Sequence, residues 1–308
     1  MLIAAPERWD EACFMLPALR AVAATGLKTA VFCQPGQLPL WQQVTGVQAI
    51  PIPQKTRDAV AMLSGNWHAA LLWEHGHAAV IAARAKVPRR IGPAVGKLTK
   101  RLTHPLNAIP GPLDHRVRFY LAAIEDIGIA TDRPEFFAPA ELSCRAIPNS
   151  MLLSPGSDFG PSHEWPLDRW HEFGRAMLDD GLRLSVAATR DGRAAASLAA
   201  GLGPDVELLD ASSPGDILPQ LAAYPWVVAA DGSLPHLAAY AGATCITLFG
   251  PNDPQWKRPL GRHHIVLRHH VECAPCLMPK CPLDLRCQHE LEAAHVIRTV
   301  RTRIASIN

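Results

Sequence analysis

The chain has 308 residues, of which 48% are hydrophobic and 19% charged, and its mean hydropathy is +0.04. This composition is typical of a soluble globular protein with room for two domains, and it excludes an intrinsically disordered chain. The net charge of +2 is too small to indicate nucleic-acid binding, and the sequence has no apolar run long enough to span a membrane.

The first half of the chain alternates short apolar segments with helical patterns. Such alternation predicts a parallel sheet that is covered by helices on both faces. The predicted strands are "LIAA" (2–5), "TAVFC" (29–33), "VQAIPI" (47–52) and "AALLWE" (69–74), and the first predicted helix covers 11–26.

A basic segment follows, between Arg84 and Arg118. It includes Lys100 and Arg101 within an irregular stretch at 95–112, which we expect to be a loop. Two interpretations remain open: a solvated loop surface, or a binding site for an anionic substrate or for membrane headgroups.

From Met151 the alternation of strands and helices begins again and continues to about residue 250. The sequence therefore predicts two Rossmann-like domains with parallel sheets that face a central cleft, one at 1–145 and one at 146–308. The final helix, predicted at 290–306, can pack on its own domain or back on the first one. Ligands of such sheets bind at the carboxyl ends of the strands.

Three polar loops follow strands directly in the second half. One of them holds Asp231, Gly232 and Ser233 before a predicted helix, so main-chain N–H groups there can face a phosphate. A capped helix without a ligand explains the same residues. The loop "SPGSDFGPSHEWP" at 154–166 and the loop "AATRDGR" at 187–193 are expected at the same edge of the sheet.

Four late cysteines have the spacing C-x2-C-x4-C-x5-C, which could supply thiolate ligands to zinc or to a cluster. These residues are Cys273, Cys276, Cys281 and Cys287. The four other cysteines, Cys13, Cys33, Cys144 and Cys245, lie in apolar contexts and are predicted to be core residues.

Four segments in the second half resemble the bacterial heptosyltransferases of lipopolysaccharide inner-core synthesis, the heptosyltransferase II type in particular. They are "PGSDFGPSHEWPLDRWHEF", "DGSLPHLAAYAG", "LFGPNDPQWKRP" and "CAPCLMPKCPLDLRCQHEL". The resemblance covers most of residues 150 to 300 in the same order, and over the first half it depends on "DEACFMLPALRAV".

The resemblance implies the GT-B fold, with the acceptor on the first domain and the nucleotide sugar on the second. It implies an inverting, metal-independent transfer of heptose or a related sugar from an ADP-sugar to a lipopolysaccharide inner-core or similar anionic, lipid-linked glycan. It also implies a cytoplasmic monomer with peripheral contact to the inner membrane and no nucleic-acid partner. On this interpretation the late cysteines form a structural loop rather than a metal site.

The resemblance also assigns roles to individual residues of the second half. Asp231, Gly232 and Ser233 are expected near the diphosphate, and His236 near the sugar or acceptor. Ser157 is expected to bind phosphate oxygens, and Asp191 to lie beside the nucleoside.

Two positions differ from the family pattern. His163 stands where relatives have a lysine close to the phosphates, and a histidine is cationic only when it is protonated. Asp10 matches the catalytic base, but Trp9 replaces the preceding glycine, and Glu11 is an alternative base. Asp10 can equally serve only as a cap for the helix that it opens.

These differences leave a second hypothesis open: a catalytically weakened relative that binds a nucleotide or glycan without transferring a sugar. For the leading hypothesis, the catalytic residues are Asp10 and His163, while Lys100 and Arg101 bind the acceptor.

Overall fold

The computed structural model describes residues 1–107, 111, 114–189 and 192–306. The chain divides into two compact units, Met1–Ala138 and Pro139–Asn308. The division lies seven residues before the domain boundary that the sequence predicts at 145/146.

The first unit contains a parallel sheet covered by helices. Its strands are β1 Leu2–Ala4, β2 Thr29–Cys33, β3 Val47–Pro51, β4 Ala69–Leu71, β5 Arg89–Pro93 and β6 His104–Leu106. Its helices are α1 Trp9–Ala24, α2 Leu38–Trp41, α3 Thr56–Leu63, α4 His77–Arg84 and α5 Val117–Glu125.

The strand order in this sheet is β3-β2-β1-β4-β5-β6. Every residue of β1 and β2 is buried, as expected for central strands that are covered on both faces. The order reverses direction between β1 and β4, and ligands of doubly wound sheets bind at such a switch point. The segments that follow β1 and β4 are therefore the place to look for functional side chains in this unit.

The second unit repeats this architecture. Its strands are β7 Ser150–Ser154, β8 Arg183–Ala188, β9 Glu207–Asp210, β10 Trp226–Ala230, β11 Thr244–Phe249 and β12 Ile265–Arg268. Its helices are α6 Leu167–Asp179, α7 Arg193–Leu202, α8 Leu218–Leu221, α9 Leu234–Tyr240, α10 Pro254–Lys257, α11 Arg286–His289 and α12 Ala293–Ala305.

The second sheet has the order β12-β11-β10-β7-β8-β9 and the equivalent switch point between β7 and β10. These two strands are parallel neighbours, with Val228 opposite Leu153 and Ala229 opposite Ser154. Both strands consist entirely of buried residues. The register places the loop after β7 beside the loop after β10.

The final helix, α12, packs against α6 within the second unit. Its buried residues Val296 and Val300 join the same apolar cluster as Trp165 and Trp170. The indole N–H of Trp165 donates to the carbonyl of Leu291 over 2.8 Å, which fixes the chain just before α12. The C-terminal helix is therefore part of the core of this unit.

Three strands, β5, β6 and β12, were not among those predicted from the sequence. β5 begins with two arginines, β6 is the short segment "HPL" inside the stretch expected to be a loop, and β12 ends at Arg268, the first residue of the basic "RHH". Neighbouring strands rather than local sequence place them in the sheets. Among the described residues, no helix is long and apolar enough to cross a membrane.

We predict that His264 makes the stability of the second unit depend on pH. This side chain is buried, and its Nδ1 accepts a hydrogen bond from the main-chain N–H of Cys245 over 3.1 Å. Burial, followed by the charge of His263, lowers the pKa of His264 from 6.5 to about 4. Between pH 4 and pH 6.5 this histidine is protonated in the unfolded chain but neutral in the folded protein. The free energy of unfolding that His264 contributes above pH 6.5 is therefore lost as the pH falls towards 4.

The loss should approach roughly 3 kcal/mol across that window. Urea unfolding of the wild type and of His264→Gln, measured at a series of pH values, checks this expectation. The glutamine amide oxygen can still accept the hydrogen bond but does not titrate, so the free energy of unfolding should fall less steeply in the variant. Parallel curves for the two proteins would refute the assignment.

Candidate functional site

Two loops meet at the switch point of the second sheet: the loop at 155–166, after β7, and the loop at 231–233, after β10. They are joined by hydrogen bonds from both sides. Asp158 accepts from the main-chain N–H of Ser233 over 2.7 Å and from its hydroxyl over 2.6 Å. The hydroxyl of Ser157 donates to the carbonyl of Asp231 over 2.5 Å. These contacts fix the loops relative to each other without a ligand.

Two glycines in these loops occupy positions where a side chain would collide. A Cβ on Gly232 would lie 2.9 Å from a carboxylate oxygen of Asp158. Gly160 has a φ of 114°, and a Cβ there would overlap the carbonyl of Pro279. The close packing of the loops therefore requires glycine at both places.

The centre of the site is the carboxylate of Asp231, which is completely buried. Its Oδ2 lies 3.0 Å from Nδ1 of His163 and accepts a 2.6 Å hydrogen bond from the amide of Asn252. Burial raises the pKa of the Asp231 carboxyl, while the contacts with His163 and Asn252 and the charge of Lys257 act in the opposite direction. Its other oxygen, Oδ1, is buried and has no hydrogen-bond donor among the described residues.

An orphaned, buried carboxylate oxygen is a strong acceptor that a ligand can satisfy. Hydroxyl groups of a sugar or ribose are suitable donors. A phosphate group would be repelled by the same carboxylate unless a cation lies close by. The site therefore combines an acceptor for hydroxyl groups with a requirement for positive charge wherever an anionic group binds.

Asn252 and Lys257 are members of this site that the sequence did not single out. Both lie in "LFGPNDPQWKRP", which follows β11, and β11 is the parallel neighbour of β10. Their place after the adjacent strand is the signal that could have identified them. Glu164 also contributes, because its Oε1 accepts from the main-chain N–H of Ser157 over 3.1 Å.

His236 lies on α9 and is buried. The helix expected after Ser233 is present as α9. Asp191, expected beside the nucleoside, lies outside the described residues. The roles of these residues and of Ser157 and Ser233 stay predictions.

In the first unit, Asp10 lies in the first turn of α1 and is completely buried. The guanidinium of Arg8 donates to both of its carboxylate oxygens, over 3.1 and 3.2 Å. Glu11, the alternative base, accepts from Arg116 over 2.8 Å and from the hydroxyl of Tyr120 over 2.6 Å. Both candidate bases are thus held in place by a cationic side chain.

Glu74, which follows β4, lies near this acidic group. Burial raises the pKa of its carboxyl, and the neighbouring Glu7 and Glu11 carboxylates add to that effect. The switch point of the first sheet is therefore a cluster of acidic groups in which Arg8 and Arg116 supply the balancing charge.

Lys100 and Arg101 lie at the end of the short 3₁₀ turn Gly96–Arg101. Lys100 is exposed, whereas Arg101 is partly buried and its carbonyl accepts from Nε of Arg90 over 2.6 Å. The side chain of Arg90 therefore ties this part of the expected loop to β5, while Lys100 is exposed.

The four late cysteines all have free thiols. Burial raises the pKa of Cys287 to about 11, and the charges of Cys273, Cys276 and Cys281 contribute in the same direction. Within the described ranges, no group of three or more histidine, cysteine, aspartate or glutamate side chains could hold a metal ion.

Three of the four other cysteines, Cys13, Cys33 and Cys245, are buried as expected. The prediction for Cys144 was wrong, because this residue is exposed. It lies in an extended segment before β7 that belongs to neither sheet.

Comparison with known proteins identifies the family. The sequence model of glycosyltransferase family 9 (heptosyltransferase) matches residues 130–286, just over half of the chain. The chain belongs to glycosyltransferase family 9. Members of this family are transferases, and the family resemblance seen in the sequence is confirmed.

Individual family 9 proteins are similar in sequence and in fold. Lipopolysaccharide heptosyltransferase 1 of Pseudomonas aeruginosa is 34% identical over 133 residues, which are 42% of this chain and only 37% of that relative. The structure of ADP-heptose lipopolysaccharide heptosyltransferase II from Escherichia coli has a TM-score of 0.79 at 17% identity, covering 99% of this chain and 98% of that one. The structure of E. coli heptosyltransferase WaaC with ADP has a TM-score of 0.76 at 18% identity, and the match covers 98% of this chain and 99% of that one.

These structures confirm the predicted fold class, an α/β protein of the GT-B type with two Rossmann-like units. The family match includes the loops around Asp231 and His163, whereas most of the first unit lies outside it.

We predict that the amide of Asn252 stabilises the second unit through Asp231. Asn252→Ala removes a hydrogen bond to a buried carboxylate and should lower the free energy of unfolding by about 1–3 kcal/mol. Gln255→Ala, an exposed position in the same segment, is the matched control and should change it by less than about 0.5 kcal/mol. Urea unfolding of both variants measures the difference, and equal stability would contradict the role given to Asn252.

Proposed function

We propose that this protein transfers heptose, or a related sugar, from an ADP-sugar to a lipopolysaccharide inner-core or similar anionic glycan. The observation that carries this proposal is the buried Asp231 at the switch point of the second sheet, with Oδ1 free of a donor among the described residues. Family membership supports the reaction class, and the ADP bound by WaaC supports the nucleotide.

In the proposed donor site, Asp231 accepts hydrogen bonds from hydroxyl groups of the sugar. The diphosphate lies along the loops that hold Ser157, Gly232 and Ser233, and Asp191 lies beside the nucleoside. His236 is close to the sugar or acceptor. Because these loops are already fixed by Asp158, the site requires little ordering when the donor binds.

The proposed reaction is a single displacement at the anomeric carbon. The acceptor hydroxyl oxygen forms a bond to this carbon, while the bond to the diphosphate oxygen breaks and its electron pair leaves with ADP. A carboxylate takes the hydroxyl proton, and we assign this role to Asp10. One displacement inverts the configuration, and protein cations can stabilise the departing diphosphate without a metal ion.

The acceptor is proposed to bind the first unit. Inner-core glycans carry carboxylates and phosphates, so the cationic Lys100 and Arg101 are suitable partners for them. We further propose that the protein acts as a cytoplasmic monomer in peripheral contact with the inner membrane, where such lipid-linked acceptors are found.

One observation favours the alternative of a weakened relative that binds without transfer. Asp10 is completely buried and both of its oxygens accept from Arg8. To act as a base, this carboxylate must be reached by the acceptor hydroxyl, and Trp9 stands beside it in place of a glycine. A direct assay of transfer distinguishes the two functions.

We predict that Asp10→Asn abolishes transfer but not donor binding. The amide keeps the size of the carboxylate but cannot take a proton, so kcat should fall by about 10²–10⁴-fold. Transfer from ADP-heptose to a purified inner-core acceptor measures kcat, and titration calorimetry with ADP measures binding.

The same assays decide among the alternatives. Unchanged kcat in Asp10→Asn would exclude this residue as the base, and Glu11→Gln then tests the other carboxylate. A wild type that binds ADP but transfers no sugar would establish the weakened relative. A wild type that does not bind ADP at high micromolar concentration would overturn the proposed function.

We predict that charge reversal of Lys100 and Arg101 to glutamate weakens use of the acceptor alone. Repulsion of the anionic glycan should raise the KM for the acceptor about tenfold at low salt, while ADP binding stays the same. A double variant of the exposed Lys28 and Lys55 to glutamate has the same change in net charge and is the control. Equal effects of the two double variants would refute a specific acceptor site.

A further inference from the structure

Lys257, the last residue of α10, is a buried cation in the candidate site. Only 5% of its surface is exposed. Lysine is rarely buried to this extent, because removing an ammonium from water is costly unless other groups compensate for it. The groups around the Lys257 ammonium must therefore compensate for its removal from water.

Two aromatic rings lie beside the ammonium. Nζ of Lys257 is 5.3 Å from the ring centre of Phe159 and 5.1 Å from that of Trp256, and both distances are within the range of cation–π attraction. Phe159 belongs to the loop after β7 and packs edge-on against His163, with ring centres 5.5 Å apart. The ammonium is therefore held next to the loop that carries His163.

The charge of Lys257 also acts on the centre of the site. It favours the ionised form of Asp231, together with the contacts made by His163 and Asn252. A lysine side chain in its ordinary state is an ammonium at neutral pH, whereas an imidazole is cationic only when it is protonated. The loops themselves contribute the carboxylates of Asp158, Glu164 and Asp231.

A diphosphate that enters these loops meets three carboxylates and needs a cation in a partly desolvated place. In such surroundings an ammonium attracts an anion more strongly than it does in water, and it stabilises negative charge that develops on a leaving group. The rings of Phe159 and Trp256 help to hold the ammonium in position by cation–π attraction.

We propose that Lys257 binds the diphosphate of the nucleotide donor and stabilises the negative charge that the departing nucleoside diphosphate gains. This inference rests on the proposed function, and it places a cation beside the loop that carries His163. The competing interpretation is that Lys257 only offsets the charge of Asp231 and supports the loops.

The test compares ADP with adenosine, which lacks the phosphates, as ligands of the full-length protein. Lys257→Met keeps the apolar stem of the side chain and removes the charge. Its affinity for ADP should fall about 10–30-fold, while its affinity for adenosine should stay within about twofold of the wild type. Lys257→Arg restores a cation and should recover ADP affinity to within about threefold.

Arg298→Met is the matched control, because it removes one positive charge from an exposed position on α12 of the same unit. It should leave both affinities unchanged. Calorimetry for ADP and NMR titration for adenosine measure the dissociation constants, and thermal unfolding shows that each variant is folded.

Equal loss of ADP and adenosine binding in Lys257→Met, or no loss at all, would overturn the proposal. If the wild type binds neither ligand, the proposed function itself fails, which is a distinct result. A further measurement does not depend on the folding of Lys257→Met. In lysine-¹³C-labelled wild type, the Cε signal of Lys257, assigned by its absence in Lys257→Arg, should shift with ADP but not with adenosine, and an unmoved signal would overturn the proposal.

Discussion

The arrangement of the second unit depends on one constraint: a buried carboxylate, Asp231, stands at the end of β10 beside the loop that follows β7. Burial disfavours the ionised form of the Asp231 carboxyl. Side chains from other segments must therefore compensate for its negative charge. His163 comes from the loop after β7, and Asn252 and Lys257 come from the segment after β11. The carboxylate thus links the ends of three adjacent parallel strands.

The same interactions explain why the loops are closely packed. Asp158 accepts both the N–H and the hydroxyl of Ser233, and this contact requires glycine at position 232. Polar side chains that look like ligands for phosphate in the sequence are therefore engaged with one another. Among the described residues, Oδ1 of Asp231 is buried without a hydrogen-bond donor and can accept a hydrogen bond from a ligand.

The charged side chains at the switch point of the first sheet are arranged differently from those at the switch point of the second. In the first unit, carboxylates collect after β1 and β4, and arginines hold two of them. Among the described residues of the second unit, only the Asp231 carboxylate is buried; it contacts a histidine and an amide, and the charge of a lysine acts on it. A sugar transfer requires a group that accepts a proton and groups that stabilise negative charge.

Much of this could be predicted from the sequence. The apolar runs of β1, β2, β7 and β10 are buried on both faces, so composition alone predicted them, and their alternation with helices predicted the doubly wound sheets. The order of four motifs in the second half identified the family. β5 and β6 could not be predicted in this way, because arginine and proline in these strands are accommodated by pairing with neighbours rather than by local preference.

Within the site, the sequence by itself indicated the loops after β7 and β10, since each follows a strand and the carboxyl ends of parallel strands share one edge. It did not single out the segment after β11, which holds Asn252 and Lys257. Only the tertiary structure decided which side chains meet. The hydrogen-bond partners of Asp231 are separated from it by up to 74 residues, and the environment of Lys257 includes Phe159 from a distant loop. Burial and charge compensation depend on these distant neighbours, which no local pattern contains.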